Sequence, residues 1–418
     1  MTKYIIFFFS LIFDYKGIED GGGGLQFAMF TTAIASGIII ISSVQLPPNR
    51  SKWYDIFKYM LILLLVSSGT VAIIQDVEFG KYSRVVAPYL LLAIGYFVGI
   101  RAHYEIGFHK ILNIMMITSV MSIIFSLYYG FTSSGQGVGE IRYQILSPLQ
   151  FIINAVMLHN IFINKKHTTV SVMILIFSLI TILISATRSA LIEYFTVIIL
   201  AFSVFRYKSS GSLSNNLFRN MMISTVFISV LLTTFALVTP DISAKFMERF
   251  LVKQNVGLDI TAATRIAEIN YQIESWLSDL FSIFFGKGLG ATYSFSGEVV
   301  EQLIELLGYE DSQPDWWFAG HNFWIYSLYS QGILFGWIVP FAILKGIYFS
   351  WKSIISISTS TKQNYFHISE SFFCFLALSS IVLSTIGGNM MGVRVSALYL
   401  GIILSLTFAI LPNVPERE

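Results

Sequence analysis

Long apolar runs separated by short polar islands divide this chain. Most of the runs hold no Asp, Glu, Lys or Arg over nearly their whole length, and they lack the alternation typical of a β-barrel. Because every backbone amide in hydrocarbon needs an internal partner, we expect α-helices. The pattern predicts about twelve membrane segments, of which the first is short for a span: 3–13, 25–45, 55–75, 85–100, 111–130, 143–163, 169–186, 189–205, 220–239, 322–344, 369–386 and 394–411.

The polar island at 240–321 is much longer than the others. It divides one membrane domain into helices one to nine, in 1–239, and helices ten to twelve, in 322–418. Inside this predicted loop, apolar residues recur at near-helical spacing, which indicates an amphipathic helix on the membrane or on the helix bundle. The stripe consists of Ile266, Ile269, Ile273, Trp276 and Leu280.

Composition and charge agree with a membrane protein. Of the 418 residues, 55% are hydrophobic and only 12% are charged, about half the charged fraction of soluble domains. The net charge is +2 and no Lys/Arg cluster occurs, so nucleic acid is not an expected partner and membrane lipids are. No spacing of Cys and His predicts a metal site, and we expect no metal or other cofactor.

Lysines and arginines gather at alternate ends of the predicted helices, and the positive-inside rule assigns those ends, with both termini, to the cytoplasm. The large loop then faces outward. The short loops on that outer side carry few basic residues, and most are arginines next to a helix end: Lys16, Lys81, Arg84, Arg142, Arg188 and Arg394.

These outer arginines, together with Arg265 in the large loop, are candidate phosphate ligands. A guanidinium stays charged and offers a planar fork of donors that matches phosphate oxygens. A lipid phosphate or pyrophosphate would therefore suit Arg84, Arg142, Arg188, Arg265 and Arg394. The alternative is that they reach to lipid headgroups or form structural ion pairs.

Arg188 stands in a hinge too short for a solvated loop, Ser185-Ala186-Thr187-Arg188-Ser189-Ala190. Glu193 follows inside the next apolar run, where an ionisable residue is costly and indicates a functional site. Arg188 is its nearest partner in sequence. A purely structural Arg–Glu pair is the alternative.

Gly320-His321-Asn322 ends the large loop and precedes a helix. Either His321 or Asn322 could cap that helix. The other interpretation uses the imidazole of His321, whose ordinary pKa lies near neutral, to accept or orient a hydroxyl proton. Downstream, Gln331-Gly332-Ile333 and Gly336 would allow tight packing on a neighbouring helix.

Gly286-Lys287-Gly288-Leu289-Gly290 superficially resembles a phosphate-binding loop. No Lys-Ser/Thr pattern and no strand–helix context accompany it, so we expect a turn in the outer loop.

In their order and placement, three of these motifs resemble the O-antigen ligase/polymerase family: Ala186-Thr187-Arg188-Ser189-Ala190, Ala263-Thr264-Arg265, and Gly320-His321-Asn322 with Gln331-Gly332-Ile333. The resemblance covers the topology of the whole chain. It implies an all-α, multi-pass glycosyltransferase of the bacterial inner membrane, similar in fold to other lipid-dependent (GT-C-like) glycosyltransferases, with a periplasmic site.

The same resemblance implies a donor, partners and residue roles. The donor is an undecaprenyl-pyrophosphate-linked oligosaccharide, and a flippase and a chain-length regulator of the same pathway are candidate partners. Arg188 and Arg265 match the family's pyrophosphate-contacting arginines, and His321 matches its catalytic-site histidine. Glu193, Arg84, Arg142 and Arg394 have no motif match and depend on their depth and charge alone.

We expect an O-antigen polymerase that elongates surface polysaccharide by inverting transfer. A ligase that moves finished polysaccharide onto lipid A core shares the donor chemistry, so the motifs leave both open. A transporter of lipid-linked oligosaccharide is a third possibility, but it would favour inverted repeats and polar residues near the bilayer midplane. Here no repeat is visible and the candidate charges gather at one face.

Overall fold

The computed structural model describes residues 1–13, 23–46, 51–133, 145–165, 168–185, 187–208, 260–293, 318–356 and 362–410. Within these residues the chain is 85% helical and contains no strand, as expected for an all-α membrane protein. The fourteen α-helices that we number in this part of the chain are α1 Thr2–Phe9, α2 Gly23–Ser43, α3 Lys52–Ile74, α4 Phe79–Ile106, α5 Phe108–Ser133, α6 Gln150–His159, α7 Thr168–Ser185, α8 Arg188–Lys208, α9 Ile260–Trp276, α10 Leu280–Phe285, α11 Phe323–Phe335, α12 Ile338–Ser356, α13 Lys362–Ser384 and α14 Arg394–Ile410.

Eight of the described helices are long and apolar enough to cross a membrane, which identifies a multi-pass membrane protein: α2, α3, α4, α5, α7, α8, α12 and α13. Two shorter apolar helices accompany them, α14 and α6, which continues as a π-helical turn over Asn160–Asn164. Helix α1 has 8 residues and cannot span a bilayer alone. The predicted segment 220–239 lies outside the described residues, so the total of twelve stays a prediction.

The apolar run predicted as one helix over 322–344 forms two. Gly332 has a φ of 63° and a ψ of −176°, and α11 ends at Phe335 before α12 begins at Ile338. A Cβ at Gly332 would lie 2.3 Å from the carbonyl oxygen of Phe284. The predicted close packing at this glycine is confirmed, but the same contact bends the chain and breaks the helix.

Helices α4 and α14 form the centre of the bundle. A Cβ at Gly95 would lie 2.2 Å from the Leu398 carbonyl oxygen, and one at Gly99 would lie 2.9 Å from that of Ile402. Small residues four positions apart allow such backbone-to-backbone contact between membrane helices. Both positions advance together along the two helices, so α4 and α14 run parallel and begin at the same end of the bundle.

The amphipathic helix predicted in the large loop is present as α9, which ends at Trp276. Its buried face is polar, because Glu268 and Gln272 are almost fully enclosed. The predicted apolar stripe is divided: Ile266 is 58% exposed, whereas Ile269, Ile273 and Trp276 are half-buried. Leu280, 73% exposed, already belongs to the next helix, α10. The most deeply buried positions of α9 therefore hold the Glu268 carboxylate and the Gln272 amide rather than the isoleucines.

Candidate functional site

The loop between α13 and α14, residues 385–393, brings two of the three sequence motifs together. Arg265, on α9, donates from Nη2 to the Gly387 carbonyl oxygen at 2.7 Å and from Nη1 to that of Ile386 at 3.3 Å. From the same loop, the Asn389 amide donates to the Gly320 carbonyl oxygen at 2.9 Å. The segment before His321 and the helix that carries Arg265 are therefore attached to one loop.

The third motif reaches the same loop through Ser189. A Cβ at Gly387 would lie 2.0 Å from the Ser189 hydroxyl, so only a glycine leaves room for this approach. Arg188, the preceding residue, is half-buried and begins α8. The chain turns from α7 into α8 within two residues, as the hinge predicts. Arg188 thus adds its charge to the partial positive charge of a helix N-terminus, an arrangement that favours anions.

His321 and its neighbour Asn322 take separate roles. The Asn322 side chain caps α11 by accepting from the Ile325 amide at 3.0 Å, so the capping prediction is confirmed for Asn322. His321 instead meets Glu268 of α9. Its backbone amide donates to Glu268 Oε1 at 2.9 Å, and its Nδ1 lies 3.0 Å from Glu268 Oε2.

Glu268 is the acceptor at the centre of a small network. Its side chain is 2% exposed, and Oε1 also accepts from the Tyr293 hydroxyl and from Gln272 Nε2 at 3.1 Å. Burial alone would raise the pKa of Glu268, but the hydrogen bonds from His321 and Tyr293 outweigh it and hold this pKa below 4.5. Burial, with the Glu268 charge beside it, raises the pKa of Tyr293.

This network fixes the chemistry of the imidazole. An ionised carboxylate only accepts hydrogen bonds, so His321 Nδ1 carries the proton towards Glu268. Nε2 then lies on the opposite edge of the ring, with its lone pair able to take a proton from a hydroxyl. The His321 side chain is 45% exposed, so a substrate can approach the ring.

Arg84 and Arg394 lie at the same end of the bundle as Arg188. Each stands at the start of α4 or α14, and these helices are parallel. Arg84 is exposed, whereas the Arg394 guanidinium lies over the Phe30 ring of α2, 5.4 Å from its centroid. Arg142 lies outside the described residues. The motifs of Arg188, Arg265 and His321 thus meet at the 385–393 loop, Arg394 directly follows that loop, and Arg84 lies at the same end of the bundle.

Glu193 lies deeper than Arg188 and is 3% exposed. Its Oε1 accepts hydrogen bonds from Asn154 of α6, at 3.4 Å, and from Ser380 of α13. These two neutral donors connect three helices through one carboxyl group. These hydrogen bonds hold the three helices together, which is a packing role, and they do not involve the residues around His321.

Sequence reasoning missed Glu268, Tyr293 and Asn389. Arg265, Glu268 and Gln272 follow each other at intervals of three and four residues, so a polar face on α9 was visible in the sequence. Nothing in the sequence marks Tyr293 or Asn389, because each acts through a partner far away along the chain.

Among the residues with described positions, no group of three or more His, Cys, Asp or Glu side chains could hold a metal ion. Comparisons with models of known protein families and with curated proteins find no match for this chain.

Proposed function

We propose that this protein is a membrane glycosyltransferase that uses a polyprenyl-pyrophosphate-linked glycan as donor. The observation that carries the proposal is a single helical turn of α9. One of its ends holds Arg265, attached to the 385–393 loop, and the other holds Glu268, which fixes His321. The same turn of α9 thereby carries a cation for a phosphate and holds, through Glu268, a base for a hydroxyl, as transfer from a pyrophosphate requires.

The reaction is a direct displacement at the anomeric carbon of the donor. The acceptor hydroxyl oxygen attacks that carbon and gives its proton to His321 Nε2. The bond from the same carbon to the phosphate oxygen breaks, and the lipid pyrophosphate leaves with the electron pair. Attack opposite the leaving group inverts the anomeric centre.

The arginines stabilise the negative charge that develops on the leaving pyrophosphate. Two of the five N–H donors of Arg265 are used on backbone carbonyls, which fixes the guanidinium and leaves three that these bonds do not use. Arg188 supplies the second charge at the start of α8. With this cationic clamp, the proposed reaction has no step that involves a metal ion.

Among glycosyltransferases with this donor, we propose an O-antigen polymerase of the bacterial inner membrane, acting at the periplasmic face on the next lipid-linked repeat unit. A ligase that transfers finished polysaccharide to lipid A core is the second candidate, because it needs the same clamp and base. The identity of the acceptor separates the two.

The test is deletion of the gene followed by gel analysis of the surface polysaccharide. For a polymerase, the ladder collapses to core plus one repeat unit, and the wild-type gene restores it. Arg188→Ala, Arg265→Ala and His321→Ala should each lower polymer yield about 100-fold or more at equal expression, as removal of one transition-state donor does.

Lys58→Ala is the matched control, because Lys58 pairs with Asp55 three residues away on the same helix, at the other end of the bundle. Core without any repeat unit in the deletion strain would indicate the ligase. An unchanged ladder would refute both activities and favour transport.

A further inference from the structure

A polar cavity of about 440 Å³ lies between the α3–α4 connection and the end of α9. Its volume falls in the range of about 300–1,000 Å³ that is typical of small-molecule sites. Four parts of the chain form it: the α3–α4 connection, the end of α9, the 286–293 turn and α11. The residues that line it include Gln75, Asp76, Ser275, Lys287, Thr292 and Tyr329.

The glycine-rich turn forms one wall and is held in place by its backbone. The Lys287 amide donates to the Tyr329 carbonyl oxygen at 2.8 Å, and the Gly288 amide donates to that of Ser330 at 3.0 Å. Gly290 has a φ of 84°, and a Cβ there would lie 2.7 Å from the Lys81 carbonyl carbon. Because these amides are used, the turn does not bind phosphate as a phosphate loop would, and it acts as a rigid wall.

The charges of the cavity do not suit an anion. The ammonium groups of Lys81 and Lys287 are already paired, at 2.9 Å each, with Glu78 and with Asp279 just outside the cavity. Hydrogen bonds from Lys287 and Ser282 lower the pKa of Asp279, so this carboxylate stays ionised at neutral pH. The Asp76 carboxylate adds a negative charge to the lining. What remains is an amide, hydroxyls, a carboxylate and a tyrosine ring.

Asp76 is held in an uncommon backbone conformation. Its φ is 52°, a region that residues other than glycine rarely adopt. The Val77 amide donates to the Ala72 carbonyl oxygen at 2.9 Å and closes the turn that contains it. With the bond from the Asp76 amide to the Ile73 carbonyl oxygen at 3.2 Å, it closes the C-terminus of α3 and fixes the backbone of Asp76 at the edge of the cavity.

Two residues that line the cavity, Thr292 and Tyr329, adjoin Tyr293 of the network around His321. Thr292 precedes Tyr293, whose hydroxyl donates to Glu268, and the Thr292 carbonyl accepts from the Tyr329 hydroxyl at 3.4 Å. Ser275 lies on α9 seven residues after Glu268, about 10 Å along the helix axis. The cavity therefore lies about 10 Å from Glu268 along α9, a distance that neighbouring sugar rings of one glycan can bridge.

We propose that this cavity binds carbohydrate, namely the sugar rings next to the reacting end of the glycan. Carboxylate, amide and hydroxyl groups with one aromatic ring suit a neutral polyhydroxylated ligand, and the paired lysines select against an anion. This inference rests on the proposed glycosyl transfer, but it concerns a separate surface that can be tested by binding alone.

The test uses the full chain in lipid nanodiscs and calorimetry with two probes. The first probe is free oligosaccharide released by mild acid from the surface polysaccharide of the organism that makes this protein. The second is undecaprenyl pyrophosphate without sugar. Asp76→Asn removes the negative charge and keeps the size of the side chain, and asparagine tolerates positive φ. Gln75→Ala is the second variant. Asp55→Asn, at the opposite end of the bundle, is the matched control.

We expect Asp76→Asn and Gln75→Ala to weaken oligosaccharide binding about tenfold and to leave undecaprenyl pyrophosphate binding unchanged. The control should bind both probes as the wild type does. The proposal is overturned if the wild type does not bind the oligosaccharide at millimolar concentration, or if both variants bind it as tightly as the wild type. If the variants lose oligosaccharide binding and the wild type does not bind undecaprenyl pyrophosphate, the carbohydrate site in the cavity is supported and the proposed transfer reaction is refuted.

Discussion

At the scale of the residue, the pair His321 and Asn322 shows how neighbours in sequence divide two tasks. Asn322 satisfies the start of α11, so the His321 ring is available to Glu268. The sequence contains both residues but not their division of roles, because Glu268 lies 53 positions away along the chain. Local rules identify capping residues; they carry no information on which distant carboxylate an imidazole meets.

The lowered pKa of Glu268 predicts how stability depends on pH. A carboxyl group whose folded pKa lies below its unfolded value contributes stability above the unfolded value, here 4.5, and loses it as the pH falls through the folded pKa. We expect the melting temperature of the wild type in detergent to fall below pH 4.5. Glu268→Gln should reduce this slope.

Glu274→Gln is the control for this measurement, because Glu274 lies on the same helix with its side chain exposed. It should keep the wild-type slope. Equal slopes in Glu268→Gln and the wild type would show that the Glu268 carboxylate is not engaged as the structure has it.

At the scale of the element, apolar runs predict helices well because length and absence of charge are properties of the segment itself. Eight described helices meet that expectation. The failure at 322–344 has a local physical cause, since the hydrophobic run continues straight through Gly332. The bend there comes from the Phe284 carbonyl of α10, which no window of sequence around Gly332 contains.

Gly332→Ala tests this bend. An added Cβ would meet backbone at 2.3 Å and would have to adopt a φ of 63°, so we expect a loss of about 1–3 kcal/mol or more in the free energy of unfolding. The readout is the melting temperature of the purified chain. Gly24→Ala, where nothing lies within 4 Å, should leave it unchanged or raise it. A wild-type melting temperature in Gly332→Ala would contradict the packing of α11 on α10.

At the scale of the whole molecule, the two ends of the bundle differ in chemistry. One end holds Arg188, Arg265 and His321 around a single loop. The opposite end is held together by salt bridges and hydrogen bonds between helices. Examples are the salt bridge from Lys3 to Glu105 at 2.8 Å and the hydrogen bond from Arg101 Nε to the Ile41 carbonyl oxygen at 3.1 Å. The positive-inside rule predicts that the first end faces the periplasm.

Cysteine labelling tests that orientation. Cys374 is buried, and Cys374→Ala provides a background without thiols. In this background we expect a membrane-impermeant maleimide to label Ser278→Cys in cells whose outer membrane has been opened. Tyr104→Cys should react only after the inner membrane is also opened. The reverse pattern would place the Arg188 end in the cytoplasm and rule out a periplasmic reaction.

The backbone contact between α4 and α14 has a consequence for how the protein is made. Gly95 and Gly99 form a groove that only the last described helix fills. At about 5–20 residues per second, synthesis of the chain between them takes on the order of tens of seconds. Throughout that time the nascent chain lies in the bilayer with the surface of α4 around Gly95 and Gly99 unfilled, until α14 is made and packs there.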